Sequence, residues 1–226
     1  MAQFPRYAIY YAAARGSTLD RFGAEHLGYD AWSGDDVPIP DGMPADWREL
    51  TDDPRKYGFH ATLKAPFALA PGKNETELTA ACADFARTPR KIPVIAPVVS
   101  SISGFIAVVP TEPSDELIRF AADCVRAFDG FRAPLTPEDR ARRRPDKLTE
   151  RQRNYLDRWG YPYVMDEFRF HMTLTGRLDN KRREAVLDFL SRRFIKLGLT
   201  ALAIDRIALF KQIDAASRFR SLGDWG

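Results

Sequence analysis

Phe59-His60-Ala61-Thr62-Leu63 and Phe170-His171-Met172-Thr173-Leu174 are two copies of one pattern, and they hold two of the three histidines in this 226-residue chain. Side chains of an extended strand alternate between its two faces. Phe59, Ala61 and Leu63 then share an apolar face, while His60, Thr62 and Lys64 share the other. The second copy divides the same way, with Phe170, Met172 and Leu174 opposed to His171, Thr173 and Thr175. Imidazole, with an unperturbed pKa of about 6.5, exchanges protons near neutral pH. Two imidazoles, each beside a hydroxyl, supply a general base, a general acid and two hydrogen-bond donors. Displacement at phosphorus needs that set: a base and an acid on opposite sides, each worth roughly 10²–10⁴-fold in rate. The hydroxyls and Lys64 suit the charged non-bridging oxygens. Which histidine is base and which is acid stays open.

The order of elements around the motifs recurs. Each copy is followed by a Pro/Gly or Gly/Asn break and a helix-like segment, 75–87 and 182–194, and then by two strand-like runs. These runs are 92–99 and 104–109 in the first half, 202–211 and 219–222 in the second. The duplicated units span about 57–110 and 167–222 within a single bilobal domain, 1–226. An internal repeat of this kind is stronger evidence than either motif alone. The expected fold class is α+β, with two β-α-β-β lobes whose antiparallel sheets face a central cleft.

Outside the repeat, residues 6–14 read as a first strand, closed by Arg15-Gly16-Ser17. Ser17 or Thr18 caps a helix that runs to Leu27 and ends at Gly28. Residues 32–55 are rich in Gly, Pro and Asp and read as a loop with a short helix near Trp47. Between the units come a helix over 114–128 and a helical insert at about 134–162, in which Pro137 and Thr149 start helices. The Arg-rich run 140–144 alternates with acids and reads as a solvated helix face. On the strand picture Tyr57, Arg6 and Tyr7 are groove residues that bind substrate. His26 has no twin; beside Gly28 it reads as structural, a cationic ring suited to a helix C-terminus.

Composition bounds the chemistry. A formal charge of +3 favours an anionic ligand only slightly. Cys82 and Cys124 sit alone among apolar residues and read as buried, reduced thiols. No His-Glu-x-x-His, Cys pair or acidic triplet of ligand spacing occurs, so no metal is expected. No Gly-x-Gly-x-x-Gly or Walker-type loop occurs, so no nucleotide cofactor is expected. The first residues lack a signal-peptide pattern, and the apolar run 7–14 is far short of the roughly 20 residues a membrane span needs. A cytoplasmic protein without membrane contact is the expectation; the oligomeric state is not encoded in any pattern here.

His60-Ala61-Thr62-Leu63 and His171-Met172-Thr173-Leu174 resemble the paired His-x-Thr motifs of the 2H phosphoesterase superfamily, which includes RNA 2′,3′-cyclic phosphodiesterases. Arg6–Tyr11, Leu27–Ala31, Tyr57–Lys64 and the insert from Leu135 to Pro162 are similar to a narrower branch, linked to phosphonate metabolism and commonly encoded near carbon–phosphorus lyase genes. The resemblance implies a bilobal fold, a central cleft and metal-independent hydrolysis of a cyclic phosphodiester, with His60 and His171 catalytic and Thr62 and Thr173 on the phosphate. In a phosphonate pathway the implied substrate is a small sugar cyclic phosphate such as 5-phosphoribosyl 1,2-cyclic phosphate. The compact members of the superfamily lack the insert, and an insert over the cleft favours a small anionic substrate. The alternatives are an RNA- or nucleotide-directed 2′,3′-cyclic phosphodiesterase and a non-catalytic module that binds a phosphorylated ligand.

Overall fold

The computed structural model describes residues 3–226. Strand β1 (Arg6–Tyr11) leads into α1 (Thr18–Leu27), and the two short helices α2 (Trp47–Leu50) and α3 (Asp52–Arg55) follow a long loop. Next come β2 (Ala61–Ala68), α4 (Glu75–Arg87), β3 (Val94–Ile95), β4 (Pro97–Ile102) and β5 (Phe105–Pro110). Helix α5 (Asp115–Phe128) and the insert helices α6 (Pro137–Arg142) and α7 (Glu150–Trp159) connect to β6 (Met172–Thr173). The chain ends with α8 (Asn180–Ile195), β7 (Leu202–Ala203), β8 (Ile207–Gln212) and β9 (Arg220–Trp225).

Caps set the helix starts close to those the sequence suggests, whereas the strand-like runs 92–99 and 202–211 are each divided, into β3 and β4 and into β7 and β8. Ser17, Asn74, Ser114, Thr149 and Asp179 each accept a hydrogen bond from an amide of the first helical turn that would otherwise lack a partner. Gly28 ends α1 in the left-handed region, at φ 67°. Thr149 and Gln152 form a reciprocal capping box at the start of α7.

Seven strands form one antiparallel sheet in the order β4-β5-β6-β2-β1-β8-β9, with β3 and β7 as a separate pair. This corrects the expectation of two sheets facing each other across a cleft. The strands that follow the first motif, β4 and β5, join the second motif's strand β6. Strands β8 and β9 join β1, which pairs with β2. The reason is the brevity of β6. Two residues cannot support a sheet of their own, so β6 satisfies its backbone by pairing with β5 on one side and β2 on the other.

One face of the sheet carries the larger core: Tyr7, Ile9 and Tyr11 of β1 with Leu63, Met172 and Ile106, packed with Leu78, Cys124, Phe128 and Leu190 of the helices. Cys82 and Cys124 are buried free thiols there, as expected. The opposite face carries a smaller cluster, Ala8, Tyr10, Ala12, Ala208, Phe210 and Phe219. Gly23 of α1 lies against Phe59, where a Cβ would come within 2.1 Å of the ring. The residue before His60 is therefore seated against helix backbone. No described helix is long and apolar enough to cross a membrane.

His26 is structural, yet not as a cation. It is 2% exposed, and its Nε2 lies 2.8 Å from the carbonyl oxygen of Leu174. Burial pushes its imidazole down to about 4. The unfolded chain binds a proton at this residue below about pH 6.5 and the native chain does not until about pH 4, so stability falls as the pH falls through that window. At pH 5 the effect of this one group is about 2 kcal/mol. Urea unfolding at pH 7 and pH 5 will show His26→Gln losing less stability on acidification than the wild type. Equal losses would show that His26 does not titrate in this window.

Candidate active site

The antiparallel pairing of Ala61 with Met172 brings the motifs together. Extending that register by one residue in each direction sets His60 opposite Thr173 and Thr62 opposite His171. Directly opposed Cβ atoms on such a pair are about 4.5–5.5 Å apart. Each imidazole therefore faces the other motif's hydroxyl. The alternation expected from the sequence holds: Phe59, Ala61, Leu63, Phe170, Met172 and Leu174 are buried, while His60, Thr62, His171 and Thr173 are half-buried.

Both rings are oriented by the same device. His60 Nδ1 lies 2.9 Å from the carbonyl oxygen of Gly58, and His171 Nδ1 lies 2.7 Å from that of Arg169. A carbonyl only accepts, so Nδ1 carries the hydrogen and, in the neutral ring, Nε2 keeps its lone pair. The Thr62 hydroxyl, 3.2 Å from His60 Nε2, donates to it. Gly58 adopts φ +74°, and a Cβ there would meet that of Ala31 at 2.6 Å, so the turn that aims His60 needs glycine. The Tyr10 ring stacks on His60 at 3.7 Å between centroids, and His171 packs beside Phe105. Burial pushes His60 down to about 4, the Gly58 carbonyl opposes this, and the nearby His171 lowers it further. Burial also lowers His171, against the pull of the Arg169 carbonyl.

A cleft of about 380 Å³ opens over this pair, lined by His60, Thr62, Thr173, Tyr10, Tyr57 and Arg6 among others. His171 stands beside the lining, not within it. Two sequence expectations need correction. Tyr7 points to the opposite face, where its hydroxyl donates to Glu75 at 2.8 Å; adjacent strand residues such as Arg6 and Tyr7 cannot both face the groove. Lys64 reaches the cleft wall, but it is 2% exposed and gives its charge to Asp129 at 3.0 Å and a hydrogen bond to the Val125 carbonyl. Burial lowers its ammonium to about 8 despite Asp129.

The insert corrects a third expectation. Arg140 turns outward to a bidentate pair with Asp157, at 2.7 and 3.1 Å, yet Arg142 and Arg143 line the cleft together with Tyr161. Backbone bonds from Ala70 to Phe131 and from Ala133 to Ala68 fasten the start of this segment to the end of β2. Arg132 then bonds to Asp129 and to the Arg158 carbonyl. Tyr10, which lies on the same face of β1 as Arg6, was legible from strand alternation alone. Arg132 and Tyr161 carry no sequence signal that points to the cleft. Among the described residues, no group of three or more His, Cys, Asp or Glu is arranged to hold a metal ion.

Histidine-selective NMR across a pH titration tests these electrostatics. His60 will titrate near pH 4 and His171 below 6.5, both with the neutral ring protonated at Nδ1. Titration of either ring above 6.5 would contradict the environment described.

Two curated proteins are similar to the chain, and each is named ribose 1,5-bisphosphate phosphokinase PhnN. The protein from Janthinobacterium sp. (strain Marseille) is 41% identical over 177 residues, which are 76% of this chain and 39% of that protein. The protein from Laribacter hongkongensis (strain HLHK9) is 33% identical over 216 residues, 95% of this chain and 50% of that protein. The chain thus spans half or less of the length of these relatives. Their name overturns the expected hydrolysis of a cyclic phosphodiester, whether of a sugar or of RNA: a phosphokinase transfers a phosphoryl group and does not open a ring with water. A family model described as "Protein of unknown function (DUF1045)" matches residues 62–220, from Thr62 through the whole second motif. The match holds β2 from Thr62 through β8 and leaves out β1, α1 to α3, His60 and most of β9; it covers more than half of the chain, and the chain belongs to the DUF1045 family.

Proposed function

We propose that the chain is the sugar-phosphate-handling part of an enzyme: its cleft binds a small phosphorylated pentose and exchanges protons with it during phosphoryl transfer. The observation that carries this reading is the Ala61–Met172 pairing, which sets the two motifs side by side with both imidazoles held through Nδ1 and with the Thr62 hydroxyl on His60 Nε2. The relatives named for ribose 1,5-bisphosphate supply the substrate class, and that class fits the phosphonate-linked branch which the sequence resembles.

The roles follow from the hydrogen bonds. One histidine, neutral and with its Nε2 lone pair available, takes the proton of the attacking oxygen of the sugar phosphate as that oxygen bonds to the phosphorus of a phosphorylated co-substrate, the phosphoryl donor. The other, protonated, gives its Nε2 hydrogen to the departing oxygen as the old bond breaks. Thr173 donates to a non-bridging oxygen, as does Thr62 once the phosphate draws its hydroxyl from His60 Nε2, while Arg6 and Arg143 give the cleft positive charge. Lys64 and Tyr7 take no direct part, being committed to Asp129 and Glu75. Tyr57 and Tyr10 form the wall beside His60.

This scheme makes a quantitative demand. Burial keeps both imidazoles below their ordinary value, so both are neutral at pH 7. An arriving dianion raises them, and one must protonate to act as the acid. Binding of ribose 1,5-bisphosphate at pH 7 will therefore take up a proton, read by calorimetry in buffers of different ionisation enthalpy. Affinity will fall as the pH rises, and His60→Gln with His171→Gln will abolish the uptake. Either single alanine variant, still folded, will lower turnover by roughly 10²–10⁴-fold. Proton-neutral binding, or a variant within tenfold of wild type, would reject the paired-histidine reading.

A further inference from the structure

The charges in the cleft do not balance. Lys64 and Arg132 share Asp129, with Arg132 Nε at 2.9 Å, and Arg142 pairs with Asp139. Arg6 and Arg143 have no carboxylate partner among the described residues. The Arg6 guanidinium bonds to the neutral side-chain amide of Gln212 and lies over the rings of Phe4 and Phe219, at 5.0 and 5.6 Å. The Arg143 guanidinium lies over Tyr161 at 5.0 Å. Both line the same cleft.

Around these two cations stand Tyr10, Tyr57 and Tyr161, whose hydroxyls bond to no protein group among the described residues. Tyr10 is 1% exposed and lines the cleft, and its hydroxyl is not among the fully buried unpartnered atoms, so its small remaining exposure is to that space. Two guanidinium groups without a carboxylate partner and three phenol hydroxyls, gathered in one half-enclosed space, are the donor set of an anion site. Burial already disfavours the Arg6 charge, and Arg142 and Arg143 add repulsion.

The half of the site on the insert is held firmly. Arg140–Asp157 joins α6 to α7. Tyr155 and Gln152 of α7 bond to Asp166 and Glu167, at 2.6 and 2.9 Å, just before the second motif. Arg132 packs against Gly160, where a Cβ would come within 2.9 Å of its side chain, and so fixes the turn that presents Tyr161. On β1, Arg6 and Tyr10 share a face four residues apart, about 13 Å at strand spacing. The cation cluster is thus offset along the cleft from the ring that stacks on His60.

We propose that Arg143 of the insert and Arg6 of β1, with the hydroxyls of Tyr10, Tyr57 and Tyr161, form a second phosphate subsite, which holds a terminal phosphate of the substrate away from the histidine pair. The ligand class is a pentose carrying two phosphate groups, one at the histidines and one at the arginines. This rests on the sugar-phosphate reading above and extends it. Arginine's planar fork suits a terminal phosphate, which accepts two parallel hydrogen bonds.

Calorimetry on the whole chain with ribose 5-phosphate, ribose 1,5-bisphosphate and pyrophosphate tests the proposal. The wild type will bind the bisphosphate at least about tenfold tighter than the monophosphate, the scale of one charged hydrogen bond. Arg143→Met and Arg6→Met will each shrink that preference, Arg143→Lys will retain part of it, and Arg140→Met, on the outer face, will leave it unchanged. Equal binding of the two sugars, or a preference that survives both methionine variants in folded protein, overturns the subsite and leaves the histidine site standing. If neither sugar binds but pyrophosphate does, in an Arg6- and Arg143-dependent way, the sugar reading fails and the anion subsite stands. Binding of pyrophosphate alone that is indifferent to the arginines, or no binding of any probe, overturns both.

Discussion

The pairing of β2 with β6 is a contact of one residue on each strand, Ala61 with Met172, and the candidate site depends on it. A slip of β6 by one residue would turn His171 and Thr173 into the apolar core and push Phe170 and Met172 toward the cleft. Several interactions outside the pair hold the register. The amides of Leu174 and Thr175 bond to the Ile106 carbonyl, and the Ile106 amide donates to the Thr175 hydroxyl at 3.1 Å. The Leu174 carbonyl accepts from His26 of α1. Met172 and Leu174 are wholly buried beneath it. The short strand is fixed by what surrounds it, which frees its polar face for a ligand.

Electrostatically the cleft is built for something absent from its own side chains. Its acids are spent: Asp129 holds Lys64 and Arg132, and although burial raises its carboxyl, the bonds from those two cations keep it below the usual range. Asp139 holds Arg142. What remains is cationic or neutral and rich in hydroxyls. A like-charged, partly desolvated cluster of this kind costs free energy in the empty protein. Proteins retain such an arrangement where a ligand offsets the cost, and a phosphate, with two charges and several acceptor oxygens, is chemically matched to it.

Much of this was legible in the chain. The repeated motif named the two histidines and two threonines, and period-two alternation gave the correct face to every residue of both copies that the pocket uses. The caps at Ser17 and Thr149 mark helix starts in the sequence, because an unsatisfied amide needs a side-chain acceptor at a set spacing. What failed was non-local. Pairing of β6 with both β5 and β2 is a tertiary fact, and nothing in Met172-Thr173 states that one continuous sheet results. Lys64 sits on the polar face as alternation requires, but its partner Asp129 lies beyond α5, invisible to any local pattern. The Arg140–Arg144 run looked uniform and is divided: Arg140 faces Asp157, while Arg142 and Arg143 face the cleft. Strand alternation itself excludes Tyr7 from the groove, since Arg6 occupies that side of β1.

The insert decides the size of the ligand. At about 380 Å³ the cleft lies at the small end of the range for small-molecule sites, and the segment that narrows it is tied to β2 through Ala70 and Ala133, to α5 through Asp129, and to the second motif through Asp166 and Glu167. Single-stranded nucleic acid is usually held on an open groove where successive bases stack on exposed aromatic rings. Here the aromatic rings nearest His60 are already engaged: Tyr10 stacks on the imidazole itself and Tyr57 stacks on Phe219 at 5.3 Å. Their hydroxyls, rather than their faces, are left for the ligand. A surface that offers phenol oxygens, guanidinium forks and imidazole nitrogens recognises phosphate and sugar oxygens. The closed geometry of the insert and the polar chemistry of the wall therefore point to the same kind of molecule, a compact phosphorylated sugar.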